Sequence, residues 1–174
     1  MDSRRTWGGR YFAPGELGVA DGGLAPDSWH RYEALTVHTL DPIRDAIGRP
    51  ITIISGERRE SRAPDSKHMP PSERATDLEV SAAADIQVRT HRGRDRIQPL
   101  TLALLIADMA YRGALRVGGI GVYAAGEKTQ GFVHVDNRTP RRGVCAVWAQ
   151  GFGDAAGNAR VVAMVRAALR EGTT

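Results

Sequence analysis

Hydrophobic residues in the first third of the chain recur at helical spacing and then give way to a short β-branched run. The helical positions are Leu35, Leu40, Ile43 and Ile47. They predict a helix that Pro42 kinks or divides, because proline lacks the N–H that a helix interior needs. Residues 51–54, Ile-Thr-Ile-Ile, are followed by Ser55-Gly56 and predict a buried strand.

Further along, alternating apolar runs predict strands at residues 76–80, 85–89, 117–123, 132–136 and 143–148. Apolar stripes predict helices at 100–112, ended by Gly113, and at 161–169. Together these elements predict an α+β fold in which helices flank a mainly antiparallel sheet. The length of 174 residues favours a single domain.

One predicted strand carries side chains that can bind a metal ion or transfer a proton on one of its faces. In residues 132–136, period-two alternation places Phe132, His134 and Asp136 on one side and two valines on the other. The valines suit a core, so the opposite face presents an imidazole and a carboxylate. With His68 in a polar loop and Asp77 at a strand start, this face completes a possible two-histidine, one-carboxylate zinc site. Spacing alone also fits a surface loop and an exposed hairpin.

The composition of the chain indicates only a broad class of binding partner. The net charge is +4 and the isoelectric point about 9.7, which fits an anionic partner such as a cell wall or a nucleic acid. No apolar run approaches the roughly 20 residues of a membrane helix, and the first residues lack the apolar segment of a secretory signal. No recognisable nucleic-acid-binding module is present, so specific nucleic-acid binding is not expected.

A set of motifs, in order, resembles the zinc D-Ala-D-Ala carboxypeptidase and murein peptidase family, in particular its phage endolysin-like branch. The family carries Ser-Gly-Tyr-Arg, Ser-x-His-x-x-Gly-x-Ala-x-Asp, Gly-Ile-Gly-x-Tyr and Phe-Val-His-Val-Asp segments. The matching segments here are Ser55-Gly56-Glu57-Arg58, Ser66-Lys67-His68, Ala75-Thr76-Asp77, Gly119-Ile120-Gly121-Val122-Tyr123 and Phe132-Val133-His134-Val135-Asp136. The resemblance implies a peptidase-like core over residues 10–148 and a helical extension over 149–174.

The resemblance implies a role for each matched residue. His68, Asp77 and His134 would bind Zn²⁺. Arg58 would hold a carboxylate or carbonyl of the peptide, and Ser66 and Tyr123 would belong to the substrate site. Asp136 would be the catalytic base or a partner that orients a ligand. The implied activity is hydrolysis of peptide bonds in bacterial peptidoglycan stem peptides, by a carboxypeptidase or an endopeptidase.

Departures from the family pattern keep alternatives open. His68 and Asp77 are nine residues apart, two more than in the family pattern. Gly131 stands where several relatives carry an acidic base, so Glu127 and Asp136 are both candidates for that role. Without a secretory signal, we expect a phage lysis or virion-associated enzyme that is made in the bacterial cytoplasm and acts at the wall. The alternative is a structural part of a phage-like particle, in contact with other virion proteins, whose peptidase chemistry is weakened or lost.

Overall fold

The computed structural model describes residues 7–18, 24, 28–57, 68, 82–89, 96–126, 130–139 and 144–170. Within them the chain forms helices, a π-helical stretch and strands in an α+β arrangement. The helices are α1 (Pro14–Leu17), α2 (Trp29–Leu35), α3 (Asp41–Ile47), α4 (Pro99–Tyr111) and α5 (Ala155–Ala168), and the π-helical stretch is Thr36–Leu40. The strands are β1 (Ile51–Ser55), β2 (Ala83–Val88), β3 (Gly119–Ala125), β4 (Gln130–Asp136) and β5 (Ala146–Gln150).

The first long helical segment changes from α-helical to π-helical hydrogen bonding just before Pro42. Helix α2 passes into the π-helical stretch, and α3 then begins with Pro42 in its first turn. Pro42 has no N–H, so the carbonyl of His38, four residues earlier, lacks its helical donor. The backbone N–H of Arg116 donates to that carbonyl instead, at 2.8 Å. The interruption that the sequence predicts at Pro42 is therefore a π-helical turn before the proline. The segment that follows α4 supplies the hydrogen-bond donor that the His38 carbonyl lacks.

The five strands form one mixed sheet with the order β1-β2-β4-β3-β5. The pairs β1–β2, β2–β4 and β4–β3 are antiparallel, and β3–β5 is parallel. The predicted α+β class is thus confirmed, but the described sheet is mixed and not the mainly antiparallel one predicted, because β5 runs parallel to β3. The strand predicted at residues 76–80 lies outside the described residues, and the one predicted at 85–89 is β2, which begins at Ala83.

The two faces of the sheet differ in chemistry. One face carries fully buried aliphatic side chains, among them Ile86, Ile120, Val133 and Val135, and α4 packs against β3 and β4 on this side. Burying each such side chain contributes roughly 1.5–3 kcal/mol to folding. The opposite face carries the polar residues of β2 and β4, so the aliphatic core leaves these groups available for a site.

Helix α4 ends at a glycine with a left-handed backbone conformation. Gly113 follows α4 with φ +70°, and the N–H of Ala114 donates to the carbonyl of Met109. This left-handed turn favours glycine and ends the helix, as the sequence predicts.

None of the helices in the described part of the chain combines the length and apolar character needed to cross a membrane.

Helix α5 begins earlier than the apolar stripe predicts, because Asp154 caps it. Its carboxylate accepts a hydrogen bond from the N–H of Gly157 at 2.8 Å. We expect Asp154→Ala to lower the free energy of unfolding by about 1 kcal/mol. The matched control is Asp108→Ala, which removes an exposed i,i+4 ion pair with Arg112 and is expected to cost less than about 0.5 kcal/mol. Equal losses in urea unfolding would contradict the capping role.

Candidate metal centre

Three side chains from separate parts of the chain converge on the polar face of the sheet. Asp85 in β2 and His134 in β4 are direct partners in the antiparallel register, and His68 reaches them from outside the sheet. Asp85 Oδ1 lies 2.9 Å from His134 Nδ1 and 3.2 Å from His68 Nε2. The two histidine nitrogens are 3.1 Å apart. All three residues are buried, and together they form a group that can hold a metal ion.

The size of this triangle fits one face of a tetrahedral metal site. Ligand atoms about 2.0–2.1 Å from a tetrahedral zinc ion lie about 3.3 Å from one another. The three distances, 2.9, 3.1 and 3.2 Å, are close to that edge length. Among the described residues no fourth histidine, cysteine or carboxylate joins the group. The described residues therefore offer three possible ligands, the number typical of a catalytic site with one open position.

The outer nitrogens of both imidazoles are held by acceptors. His68 Nδ1 lies 2.7 Å from the carbonyl oxygen of Gly56, and His134 Nε2 lies 3.1 Å from Asp136 Oδ2. Neither oxygen can donate, so each outer nitrogen carries the hydrogen, and each inner nitrogen of a neutral ring presents a lone pair. Two such lone pairs face a carboxylate oxygen. A cation or an additional proton at the centre relieves the repulsion among them.

The electrostatic balance of the group also favours a cation. Burial raises the pKa of Asp85, but His134 and His68, which donate hydrogen bonds to it when their rings are protonated, outweigh burial and leave this pKa well below its ordinary value. Burial lowers the pKa of His134, but hydrogen bonds to Asp136 and Asp85 outweigh it and raise this pKa overall. Two ionised carboxylates thus flank one imidazole, and the negative charge attracts either a proton or a metal ion.

Asp136 contacts His134 on the side of the ring opposite the triad. It is fully buried. Arg138 donates to it through Nε, at 2.8 Å to each carboxylate oxygen, and through a terminal nitrogen. Burial raises the pKa of Asp136, but His134 and Arg138 together lower it to about 2. This position suits a partner that orients His134 and fixes its tautomer, one of the two roles that the sequence left open.

Two glycines of β3 make room for the site. Gly119 pairs with Asp136 and Gly121 with His134 across the antiparallel register, while Gly121 also faces Trp148 in β5. A Cβ at Gly119 would come within 2.5 Å of the Asp136 carboxylate, and one at Gly121 within 2.5 Å of the Trp148 ring. The Gly-Ile-Gly segment is therefore explained by close packing on one face and a core isoleucine on the other.

Aromatic side chains form a wall beside His134. The Trp148 ring lies 5.0 Å from the imidazole, between centroids, and Trp148 Nε1 donates to the Tyr123 hydroxyl at 2.9 Å. Tyr123 stacks on Phe132 with the ring centroids 4.4 Å apart. Each of these three aromatic residues is partly exposed. The wall is thus both packed against His134 and accessible to a bound molecule.

The packing over β3 gives a direct prediction. We expect Gly121→Ala to displace Trp148 from His134 and to destabilise the protein by about 1–3 kcal/mol, as is typical of an overpacked core. Gly15→Ala is the matched control, since no atom lies within 4 Å of the added Cβ there. Tryptophan fluorescence and thermal unfolding measure the two effects. Identical behaviour of the two variants would contradict the packing described.

The structure brings together some of the residues that the sequence singled out. His68 and His134 belong to the triad, Asp136 contacts His134, and Tyr123 belongs to the aromatic wall. Arg58, Ser66 and Asp77 lie outside the described residues, so their predicted roles stay predictions.

The sequence reasoning missed Asp85, although a signal for it exists. The family pattern ends in Ala-x-Asp, and after His68 this occurs twice, as Ala75-Thr76-Asp77 and as Ala83-Ala84-Asp85. The first occurrence keeps nearly the family interval from His68, whereas the Asp of the second lies 17 positions after His68. In the structure the second lies in β2 opposite His134, so strand pairing identifies the carboxylate that interval length did not.

Comparison with protein-family models, with curated proteins and with solved structures finds no match to this chain.

Proposed function

We propose that this protein is a zinc-dependent peptidase that cleaves peptide bonds in bacterial peptidoglycan stem peptides, with His68, Asp85 and His134 as the zinc ligands. The observation that carries the proposal is the convergence of three possible ligand atoms, with 2.9–3.2 Å between them. The other ring nitrogen of each histidine already donates to a protein oxygen. The motif resemblance supplies the reaction and the substrate class.

The choice of zinc rests on the ligand types. Two imidazole nitrogens and one carboxylate oxygen are a common three-ligand set for catalytic zinc, whereas magnesium and calcium prefer sites made of oxygen atoms. Asp136 and the Gly56 carbonyl orient the two histidines in the way typical of such sites.

Zinc bound here would lower the pKa of a bound water to about 7 and polarise a substrate carbonyl. The chain's own residues would prepare that chemistry. Asp136 keeps a hydrogen on Nε2 of His134, so that Nδ1 is available to the metal. Because Asp136 lies on the far side of this ring and is bonded to Arg138, it suits orientation better than direct proton transfer. Glu127 remains the other candidate for the base.

The substrate would lie along the aromatic wall. Tyr123 and Trp148 are joined by a hydrogen bond and stand beside His134. They would contact the peptide near the cleaved bond, while Arg58 and Ser66 retain the roles that the resemblance implies. Delivery by a phage, as a lysis or virion-associated enzyme, remains part of the proposal.

The test is hydrolysis of purified peptidoglycan by the full chain, with the released peptides identified by mass spectrometry. We expect cleavage within the stem peptide, loss of cleavage after chelation, and recovery when Zn²⁺ is restored. A structural particle component with lost chemistry would neither bind zinc tightly nor release peptides. That result would replace the enzyme proposal with the structural alternative.

A further inference from the structure

A groove of about 570 Å³ lies at the end of the sheet where β4 ends and β3 begins. The π-helical stretch forms one side, and the connection between α4 and β3 forms another. The residues that line it include Ala34, His38, Leu115, Arg116, Arg138 and Thr139.

The charges in this groove are of one sign. Arg116 and Arg138 are permanently cationic, and His38 adds an exposed imidazole, while none of the described residues that line the groove is acidic. Within the described part of the chain, Arg116 has no ion pair with an acidic residue. A groove with this lining attracts an anion and suits the planar geometry of a carboxylate.

The backbone that carries the central arginine is fixed on both sides. The N–H of Arg116 donates to the carbonyl of His38, and the hydroxyl of Thr39 donates to the carbonyl of Arg116. Both contacts come from the π-helical stretch, a type of turn often found at functional sites. The anchored backbone reduces the ordering cost of binding a ligand at this position.

The groove adjoins the metal centre through a short chain of contacts. Arg138 lines the groove and also donates to Asp136, which accepts from the metal-binding residue His134. The Arg138 guanidinium further lies 5.3 Å from the Trp148 ring, part of the aromatic wall. Arg138 is therefore a neighbour of both the groove and the aromatic wall.

We propose that this groove binds a free carboxylate of the peptide substrate, with Arg116 as the main contact and His38 and Arg138 in support. The identity of the substrate rests on the proposed function, because peptidoglycan stem peptides carry free carboxylates. The anion-binding property itself stands on the groove and its charges. Arg116 would act as a specificity residue that distinguishes acidic stem peptides from amidated ones.

The first experiment measures binding without turnover. Glutarate is titrated into the isotope-labelled full chain, and the amide signals of Arg116, Gly118 and Thr139 are followed by NMR. We expect saturable shifts with glutarate and none with the neutral glutaramide. Arg116→Gln is expected to weaken glutarate binding about fivefold or more. Arg160→Gln, which removes the same charge from an exposed position on α5 outside the groove, should change it less than twofold.

Each other outcome overturns the inference in a defined way. Absent shifts at these amides, or equal effects of the two variants, would show that the groove does not bind anions specifically. Tighter binding of glycerol phosphate than of glutarate at the same amides would assign the groove to phosphate, not carboxylate.

A second experiment separates this inference from the proposed function. On stem peptides with free carboxylates, Arg116→Gln is expected to raise KM with little change in kcat, and to leave KM for amidated peptides unchanged. Arg116-dependent glutarate binding in a chain that hydrolyses nothing would refute the peptidase and retain the anion site. Hydrolysis with identical KM values for Arg116→Gln and Arg160→Gln would retain the peptidase and refute the carboxylate site.

Discussion

Replacing Asp85 by alanine is expected to abolish tight zinc binding and peptidoglycan hydrolysis, whereas replacing Asp77 by alanine leaves both nearly unchanged. Asp85 Oδ1 lies 2.9 and 3.2 Å from the two inner histidine nitrogens, so its loss removes one of three ligands. We expect the affinity loss to exceed the roughly 10–100-fold typical of removing a partner outside the ligand set.

The paired design separates loss of the metal from loss of the fold. Both variants remove one carboxylate, and both are compared by circular dichroism and by the zinc content of the purified protein. If Asp77→Ala lost zinc and Asp85→Ala kept it, the ligand set would be the one that the sequence resemblance implied, and the described triad would be wrong.

Replacing Asp136 by asparagine is expected to weaken zinc binding by about 10–100-fold while leaving the zinc-saturated rate within about tenfold. Asparagine preserves the shape but removes the charge that holds a hydrogen on Nε2 of His134. If Asp136 were the catalytic base, the zinc-saturated rate would instead fall by about 10²–10⁴-fold. The rate measured at saturating zinc therefore distinguishes the two roles that the sequence left open.

A control for this variant is Asp108→Asn, which changes an exposed carboxylate on α4 that pairs only with Arg112 among the described residues. It is expected to change neither zinc affinity nor rate. Unaltered zinc affinity in Asp136→Asn as well would contradict the orienting role that the contact with His134 indicates.

Much of the sheet could be predicted from the sequence because its two faces have opposite chemistry. The alternation in residues 132–136 correctly places Val133 and Val135 in the core and His134 and Asp136 on the other face. The glycine-punctuated strand likewise corresponds to β3, and the long helix at 100–112 to α4. Local periodicity is sufficient for such elements, since each residue's environment follows from its neighbours in sequence.

The aspartate of the triad could not be predicted in the same way. Which aspartate faces His134 depends on the register between β2 and β4, a pairing of residues 49 positions apart. No local pattern fixes that register. Three buried alanines, Ala82, Ala83 and Ala84, also precede Asp85. Small residues of this kind indicate close packing, so the sequence gives no local sign that Asp85 belongs to a site. Of the contacts that fix the histidine tautomers, that of His134 with Asp136 lies within one strand and follows from its alternation, whereas that of His68 with the Gly56 carbonyl does not follow from any local pattern.

The most direct test of the central claim is anomalous X-ray scattering at the zinc absorption edge, from crystals of the full chain grown with Zn²⁺. We expect one strong peak about 2.0–2.2 Å from His68 Nε2, Asp85 Oδ1 and His134 Nδ1. A peak that includes Asp77 in place of Asp85, or no peak among these three atoms, would contradict it.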